Sequence, residues 1–420
     1  MHRRDDVNAP ASPFRIARVI ARMNIGGPAR LVVWLTDAMS GGGFESTLIC
    51  GTVAPGEADM SGLAREHGIE PVLFAEMSRE ITPRDVITFW KLYRFFREYR
   101  PALVETHTAK AGAVGRAAAF LYRWLTPRIL IGRPRRCKVV HFYHGHVLHS
   151  YYGKLKSGIF IAIEKLLGRA TDLLIVPSQQ QLDELHGRFG IGSPERFHIV
   201  PYGLELDEFI GTPEHRRILR SRLGITDDQT VIGIVGRLTA IKNQEMFLRV
   251  ARSVQDLGVA GIRFVIVGVG GDRLLLEERA QAMNLNNAIF AGFVEDAREI
   301  YAALDILALT SRNEGMPLTL IEGMANGKPV VSTAVGGVVD LLGPIERREA
   351  AGAVAYEVRK RGLTVPSDDD AAFTAALMRL LNDAAMRESL ASRGREHVFR
   401  EHGRERFTDT ITRLYRELPP

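Results

Sequence analysis

Two successions of short apolar runs, each run followed by a turn and an amphipathic segment, limit most severely what this chain can fold into. The first half holds FRIARVIA, STLICG, PVLFA, ALVETH, KVVHFY and DLLIVPS; after TVIGIVG come RFVIVG, NAIFAGF, DILALTS and KPVVSTA. Short runs rich in Val and Ile, alternating with helical periodicity, predict parallel strands joined by crossover helices. A parallel sheet must be covered on both faces, so each succession predicts one doubly wound α/β domain. A chain of 420 residues also exceeds what one hydrophobic core usually serves. The join is expected near residues 198–209, where HIVPYGLELDEF runs from a strand into a Pro-Tyr-Gly turn. The division that follows is a disordered tail over 1–13, an amino-terminal domain over 14–205, a carboxy-terminal domain over 206–402, and a last helical segment over 403–420.

The stretch SRNEGMPLTLIEGMANGKPVVSTAVGG, residues 311–337, carries the most chemistry. Proline suits a first helical turn because its missing N–H would be unpaired there anyway, which predicts a helix from Pro317 to Asn326 with Gly327 at its end. The amides of Leu318 and Thr319 then lack intrahelical acceptors, and the aligned peptide dipoles add positive potential, a natural seat for a phosphate. Glu314 precedes this seat. Glu322 follows it, roughly 7 Å further along the axis at about 1.5 Å per residue. A sugar joined to a nucleoside diphosphate has the same layout, sugar on one side of the pyrophosphate and ribose on the other. Leu318, Glu322 and Ala325 share a face, so Glu322 interrupts an apolar stripe.

Further positions fit an anionic ligand, each beside a plainer explanation. VIGIVGRLTAIKNQEMFL supplies Arg237 and Lys242 between a strand and a helix; two cations there would offset a diphosphate, and a surface loop would carry them equally well. Gly268, Gly270 and Gly271 either let a backbone approach a nucleotide or merely turn the chain. The G-x-G-x-x-G fingerprint is incomplete, because Arg273 stands at its third glycine. Gly26 and Gly27, before a helix expected to begin at Pro28, pose the same choice. His141, His144, His146 and His149 follow a strand end at spacings that suit no metal site, and no carboxylate or cysteine cluster accompanies them. His107 ends another strand, as a satisfied edge histidine or as a group facing an acceptor.

Residues 311–337 resemble the nucleotide-binding signature of glycosyltransferase family 4, in which E-x7-E lies in an EGxP context ahead of a G-x-PVV-x-T strand. The match falls on Glu314, Gly315, Pro317, Glu322, Gly327, Pro329 and Gly336-Gly337. The resemblance implies a GT-B fold, two Rossmann-like domains facing across a cleft, and retention at the anomeric carbon. It implies that Glu314 contacts the donor sugar, that Glu322 takes the ribose hydroxyls, and that Arg237 and Lys242 contact phosphate. Gly315, Met316, Leu318 and Thr319 fall within the donor site. Gly26 and Gly27 lie beside the donor phosphate or the acceptor, and His144, in a strand-end H-G element, near the sugar. The last helix is expected to cross back to the first domain, as in GT-B members. Residues 343–361 lengthen the family's usual connection at this point.

The expected activity is transfer of a sugar from a nucleotide diphosphate sugar, UDP before GDP, to a hydroxyl of a lipid-linked or polysaccharide acceptor in cell-envelope glycan synthesis. Glu314, His144, Arg237 and Lys242 are the catalytic candidates, His107 and His144 the acceptor-side ones. No cofactor and no metal are expected. Rival classes are a non-catalytic nucleotide- or carbohydrate-binding protein of the same fold and, behind it, a nicotinamide oxidoreductase. Cys50 and Cys137 lie in or beside apolar runs and read as reduced core thiols. The net charge is +6, and the excess gathers beside aromatics in TFWKLYRFFREYR (88–100), LYRWLTPRILIGRPRRCK (121–138) and YYGKLKSGIFIAIEKLLGR (151–169). Such segments suit an anionic membrane surface, or their rings fill the core while the cations meet solvent. No nucleic-acid-reading motif is present. Without a signal core or a membrane-spanning run, a cytoplasmic place is expected, peripheral on the inner face of the plasma membrane where the basic segments bind it.

Overall fold

The computed structural model describes residues 13–24, 26–53, 59–78, 82–145 and 154–418. Apart from Pro13, the expected tail over 1–13 lies outside these residues, as do His146 and His149. The chain forms two compact units, one of residues 1–176, 182–200 and 408–420, the other of residues 177–181 and 201–407. The division falls between Val200 and Pro201, five residues before the expected 205/206, because the strand that ends at Ile199 still pairs with the first sheet. The last helix runs Arg404–Glu417 and joins the first unit from Thr408 onward.

In the first unit β1 (Phe14–Ile20), β2 (Phe44–Cys50), β3 (Val72–Leu73), β4 (Leu103–His107), β5 (Lys138–Phe142), β6 (Leu173–Val176) and β7 (Phe197–Ile199) form one parallel sheet in the order β3-β2-β1-β4-β5-β6-β7. Alternate side chains supply opposite faces, as the pleat requires. Ala17 and Val19 pack with Leu92, Phe96 and Ala118 of the helices Asp85–Tyr99 and Ala109–Trp124. Ile20, Leu48 and Cys50 pack with Val32 and Val33 of the helix Gly27–Ala38. Cys50 and Cys137 are free, buried thiols, and burial pushes them up to about 11 and about 12.

The second unit holds β8 (Thr230–Val235), β9 (Ile262–Val267), β10 (Ala288–Gly292), β11 (Ile306–Leu309), β12 (Val330–Thr333), β13 (Ile345–Ala351), β14 (Val354–Arg359) and β15 (Gly362–Val365), in the order β10-β9-β8-β11-β12-β15-β14-β13. The strands from β10 to β15 are parallel; β14 and β13 join antiparallel. Residues 343–361 are therefore a hairpin that extends the sheet, turned at Gly352 with φ 65°. The edge strand β13 carries Glu346, Arg347, Arg348 and Glu349, charges that protect an open edge from pairing with other chains. Both sheets reverse their winding at one internal point, β1/β4 and β8/β11, and ligands of doubly wound sheets bind beyond the carboxyl ends of the strands at such a point.

Candidate functional site

At the reversal point of the second sheet, the loop after β8 and the loop after β11 are stapled to each other. Thr310 Oγ1 donates to the carbonyls of Lys242 and Asn243 at 3.1 and 2.9 Å, and the Arg312 amide donates to Ile241 at 2.8 Å. Asn243 starts the helix Gln244–Asp256 in the left-handed region, φ 52°, and its side-chain amide donates to Asp368 at 2.9 Å. These bonds bring Lys242 to Glu314: Nζ lies 2.6 Å from Oε1, and Ser311 Oγ donates to the same oxygen at 2.5 Å. Glu314 is buried, and Lys242 is partly exposed. The sequence assigned this Lys and Glu to different parts of one ligand, and the fold makes them direct partners. Arg237 is exposed on the same loop, its carbonyl accepting from Gln244 Nε2 at 2.8 Å.

The helix after Glu314 runs Leu318–Ala325, with Pro317 as its cap residue and Gly327 beyond its end at φ 70°. Pro317 thus precedes the helix, where the sequence placed it inside the first turn, and the helix ends one residue before the expected Asn326. Its carbonyl receives the amides of Leu320 and Ile321, so those of Leu318 and Thr319 stand ahead of the first intrahelical bonds. Glu322 is half-buried, and the phenol of Tyr301, itself wholly buried, donates to its Oε2 at 2.5 Å. The glutamate that interrupts the apolar stripe is therefore held in a set direction. Neither Tyr301 nor Ser311 was singled out by sequence. Ser311 had a signal, three residues ahead of Glu314; Tyr301 lies 21 residues from its partner and had none.

Gly336 and Gly337 lock the carboxylate loop in place. Gly336 has φ 51°, and a Cβ there would stand 1.6 Å from the Glu314 carbonyl oxygen; at Gly337 it would stand 2.2 Å from that of Gly315. Gly268 and Gly270 likewise serve packing, since added Cβ atoms would stand 2.0 Å from the Gly236 oxygen and 2.1 Å from that of Leu238. Backbone packing therefore accounts for Gly268 and Gly270, whereas a Cβ at Gly271 would meet nothing within 4 Å. Gly26 differs: it is exposed, its φ of 161° is extended, and a Cβ would meet nothing closer than 3.8 Å. Packing therefore does not require a glycine there.

In the first unit, His107 and His144 lie at the ends of β4 and β5. His107 is fully buried, as the satisfied edge histidine of the two alternatives would be: its Nε2 lies 2.6 Å from Glu105 Oε1 and its Nδ1 2.8 Å from His144 Nε2. His144 is partly exposed, and desolvation, with the charge of His107, holds its pKa well below the ordinary imidazole range against the pull of Glu105. His141 is buried, its Nδ1 2.9 Å from Thr106 Oγ1. Among the described residues no group of three or more His, Cys, Asp or Glu is arranged to hold a metal ion.

The basic segments divide their rings. Tyr93, Phe96 and Tyr122 are core, whereas Trp90 and Trp124 are exposed. The turn Pro127–Ile131 exposes Leu130 at 88% and Ile131 at 68%. Beside it runs a groove of about 950 Å³, lined between Arg100 and Lys138 by seven cationic side chains and no carboxylate. Of these cations Arg123 has an acidic partner, Asp172 at 2.9 Å. No helix among the described residues is long and apolar enough to cross a membrane.

The models of two protein families match consecutive parts of the chain: "Glycosyltransferase Family 4" over residues 25–208 and "Glycosyl transferases group 1" over residues 215–397. A D-inositol 3-phosphate glycosyltransferase of Corynebacterium urealyticum is 30% identical over 260 residues, 59% of this chain; the chain spans 57% of that relative's length. UDP-Gal:alpha-D-GlcNAc-diphosphoundecaprenol alpha-1,3-galactosyltransferase of Escherichia coli is 26% identical over 329 residues, 78% of this chain and 81% of that one. Among solved structures, Anabaena HepE in complex with UDP and glucose superposes with a TM-score of 0.76 at 19% identity, over 96% of this chain and all of that one. WaaG, a glycosyltransferase involved in lipopolysaccharide biosynthesis, gives 0.67 at 18% identity, over 94% and 99%. These superpositions establish the fold, GT-B with two Rossmann-like domains.

Proposed function

The chain belongs to glycosyltransferase family 4, and we propose from that membership that it moves a glycosyl group from a nucleotide diphosphate sugar to a hydroxyl of a saccharide or lipid-linked acceptor, with retention at the anomeric carbon. The observation that carries this reading is the Lys242–Glu314 pair set beside the start of the helix Leu318–Ala325, at the reversal point of the second sheet. The pyrophosphate occupies the amides of Leu318 and Thr319, with Arg237 and Lys242 on its oxygens and Gly315 and Met316 beneath it. Glu322, directed by Tyr301, accepts from the ribose hydroxyls; Glu314 meets the donor sugar.

As the bond from the anomeric carbon to the phosphate oxygen breaks, charge grows on the leaving phosphate, and Arg237 and Lys242 stabilise it where it develops. The acceptor oxygen bonds to the same face of that carbon, and its proton passes to the departing phosphate oxygen. His144 hydrogen-bonds a sugar hydroxyl from the first unit. The two cations and the helix amides supply the positive charge this step requires, so no metal enters it. UDP is favoured over GDP because HepE was solved with UDP and the Escherichia coli relative is named for UDP-galactose. That relative's name also specifies a diphosphoundecaprenol-linked saccharide, which favours a lipid-linked acceptor in envelope glycan synthesis. An oxidoreductase is disfavoured, since Arg273 stands at the third glycine of the dinucleotide fingerprint and both family models that match are of glycosyltransferases.

A lipid-linked acceptor calls for a membrane surface, and the groove beside Pro127–Ile131 fits one: cationic side chains for anionic headgroups, Leu130 and Ile131 for the acyl boundary. Co-sedimentation with phosphatidylglycerol vesicles is expected, falling sharply in Leu130→Asp combined with Arg133→Glu; equal binding to phosphatidylcholine, or none, contradicts the membrane role. The activity itself is tested by incubating the protein with a panel of activated sugars and membrane extract and measuring released nucleotide. UDP release that depends on the extract is expected, and no release from any donor overturns the assignment.

A further inference from the structure

Behind His144 lies a chain of buried polar groups that the donor site does not use. Glu105 and Arg18 are both wholly buried. Arg18 Nε lies 3.0 Å from each oxygen of Glu105, His107 Nε2 lies 2.6 Å from Oε1, and the phenol of Tyr415 donates to Oε2 at 2.5 Å. Tyr415 comes from the last helix, more than three hundred positions along the chain. From Glu105 the chain leads outward through His107 to His144, whose Nε2 lies 2.8 Å from His107 Nδ1. Ring centroids 5.1 Å apart at 23°, with nitrogens in contact, put the two imidazoles edge to edge and nearly coplanar, the geometry of an N–H···N hydrogen bond. Phe142 stacks on His107 at 4.7 Å and limits its rotation.

The protons follow from chemistry. Burial alone would raise the Glu105 pKa, but Arg18, His107 and Tyr415 outweigh it and bring it to about 2, so the group is a carboxylate and can only accept. Nε2 of His107 therefore carries hydrogen. One proton remains between His107 Nδ1 and His144 Nε2. While His107 is neutral, that proton belongs to His144 Nε2, and Nδ1 of His144 is the nitrogen with a lone pair. Among the described residues, Arg18 is committed to Glu105, and His141, on β5, to Thr106.

We propose that Glu105 is a positioning residue for the transfer reaction, acting through His107 to fix the ring plane of His144 and the nitrogen it turns toward substrate. The proposal rests on the reading of His144 as a contact of the transferred sugar. An ion pair needed only for folding would be complete with Arg18, Ser46 and Tyr415, and would not need two aligned imidazoles.

Glu105→Gln keeps the shape of the side chain but removes its charge and leaves one acceptor oxygen where Arg18, His107 and Tyr415 together engage two. In the variant kcat is expected to fall about ten- to a thousand-fold, with KM for the nucleotide sugar and affinity for UDP unchanged. A folded variant with wild-type kcat, or one whose loss lies wholly in UDP affinity, overturns the proposal. Imidazole ¹⁵N spectra of histidine-labelled protein provide a readout independent of turnover. They are expected to show His107 protonated at Nε2 and a changed His144 signal in Glu105→Gln; an unchanged His144 signal refutes the coupling even if the donor assignment fails. Should Glu105→Gln not fold, His107→Asn interrupts the chain one link outward and leaves Arg18, Glu105 and Tyr415 in place. The same loss in kcat is then required, and its absence is equally decisive.

Discussion

Replacing Glu322 by Ala separates a ribose-reading carboxylate from one that merely completes a helix. In the free protein Glu322 already accepts a 2.5 Å hydrogen bond from Tyr301, which fixes its direction before any nucleotide arrives. Hydrogen bonds to a charged group contribute about 1.5–3 kcal/mol, which is roughly a ten- to 150-fold change in Kd. At a UDP concentration about 100 times the wild-type Kd, binding stabilises the wild type by about 2.7 kcal/mol. A tenfold weaker site keeps about 1.4 kcal/mol of that, and a 150-fold weaker one about 0.3 kcal/mol. Loss of the carboxylate also strands the buried phenol of Tyr301, at a cost of about 1–3 kcal/mol to the unliganded fold. The assay is chemical denaturation of both proteins with and without UDP, so that the ligand-dependent increment is compared and not the baseline. Tyr301→Phe should show a smaller loss of the increment, because the carboxylate remains while its orientation relaxes. An increment in Glu322→Ala equal to that of the wild type would refute the ribose contact, whatever happened to the baseline.

Gly336→Ala is expected to destabilise the fold by at least about 1 kcal/mol from the left-handed backbone alone, and to abolish UDP binding by displacing Glu314; denaturation and titration check both. His402, buried with its Nδ1 2.9 Å from the Tyr202 carbonyl, has its pKa lowered to about 4, mainly by burial. A histidine held neutral in the fold contributes stability that is present above its unfolded pKa of about 6.5 and is lost as pH falls through the folded value. Stability should therefore decline between about pH 6.5 and 4, by up to about 3 kcal/mol for this residue, and His402→Asn should flatten that part of the profile measured by urea denaturation. Activity is expected to survive EDTA, as cations on Arg237 and Lys242 suffice; complete loss, restored by added metal, would contradict the mechanism.

Much of the fold was legible because buried parallel strands are continuous apolar runs that little else imitates. Phe14–Ile20, Leu103–His107 and Thr230–Val235 all fall where their sequences place them. The hairpin Ile345–Arg359 was not legible, since an exposed edge strand made of Glu and Arg lacks that apolar signature. The acids and cations of the donor site were legible from motif and helix chemistry. Their mutual contact was not, because Lys242 meets Glu314 through two loops joined by the Thr310 hydroxyl and by backbone groups, a pairing that no spacing along the sequence reveals. The same holds for Glu105: a glutamate inside an apolar strand signals a buried partner, but Tyr415 closes the network from the far end of the chain.

A crystal structure of the protein with UDP tests the central claim most directly. The expected result is pyrophosphate oxygens within hydrogen-bonding distance of the Leu318 and Thr319 amides and of Lys242, with the ribose hydroxyls on Glu322. A nucleotide bound elsewhere, or one whose ribose does not meet Glu322, would contradict it.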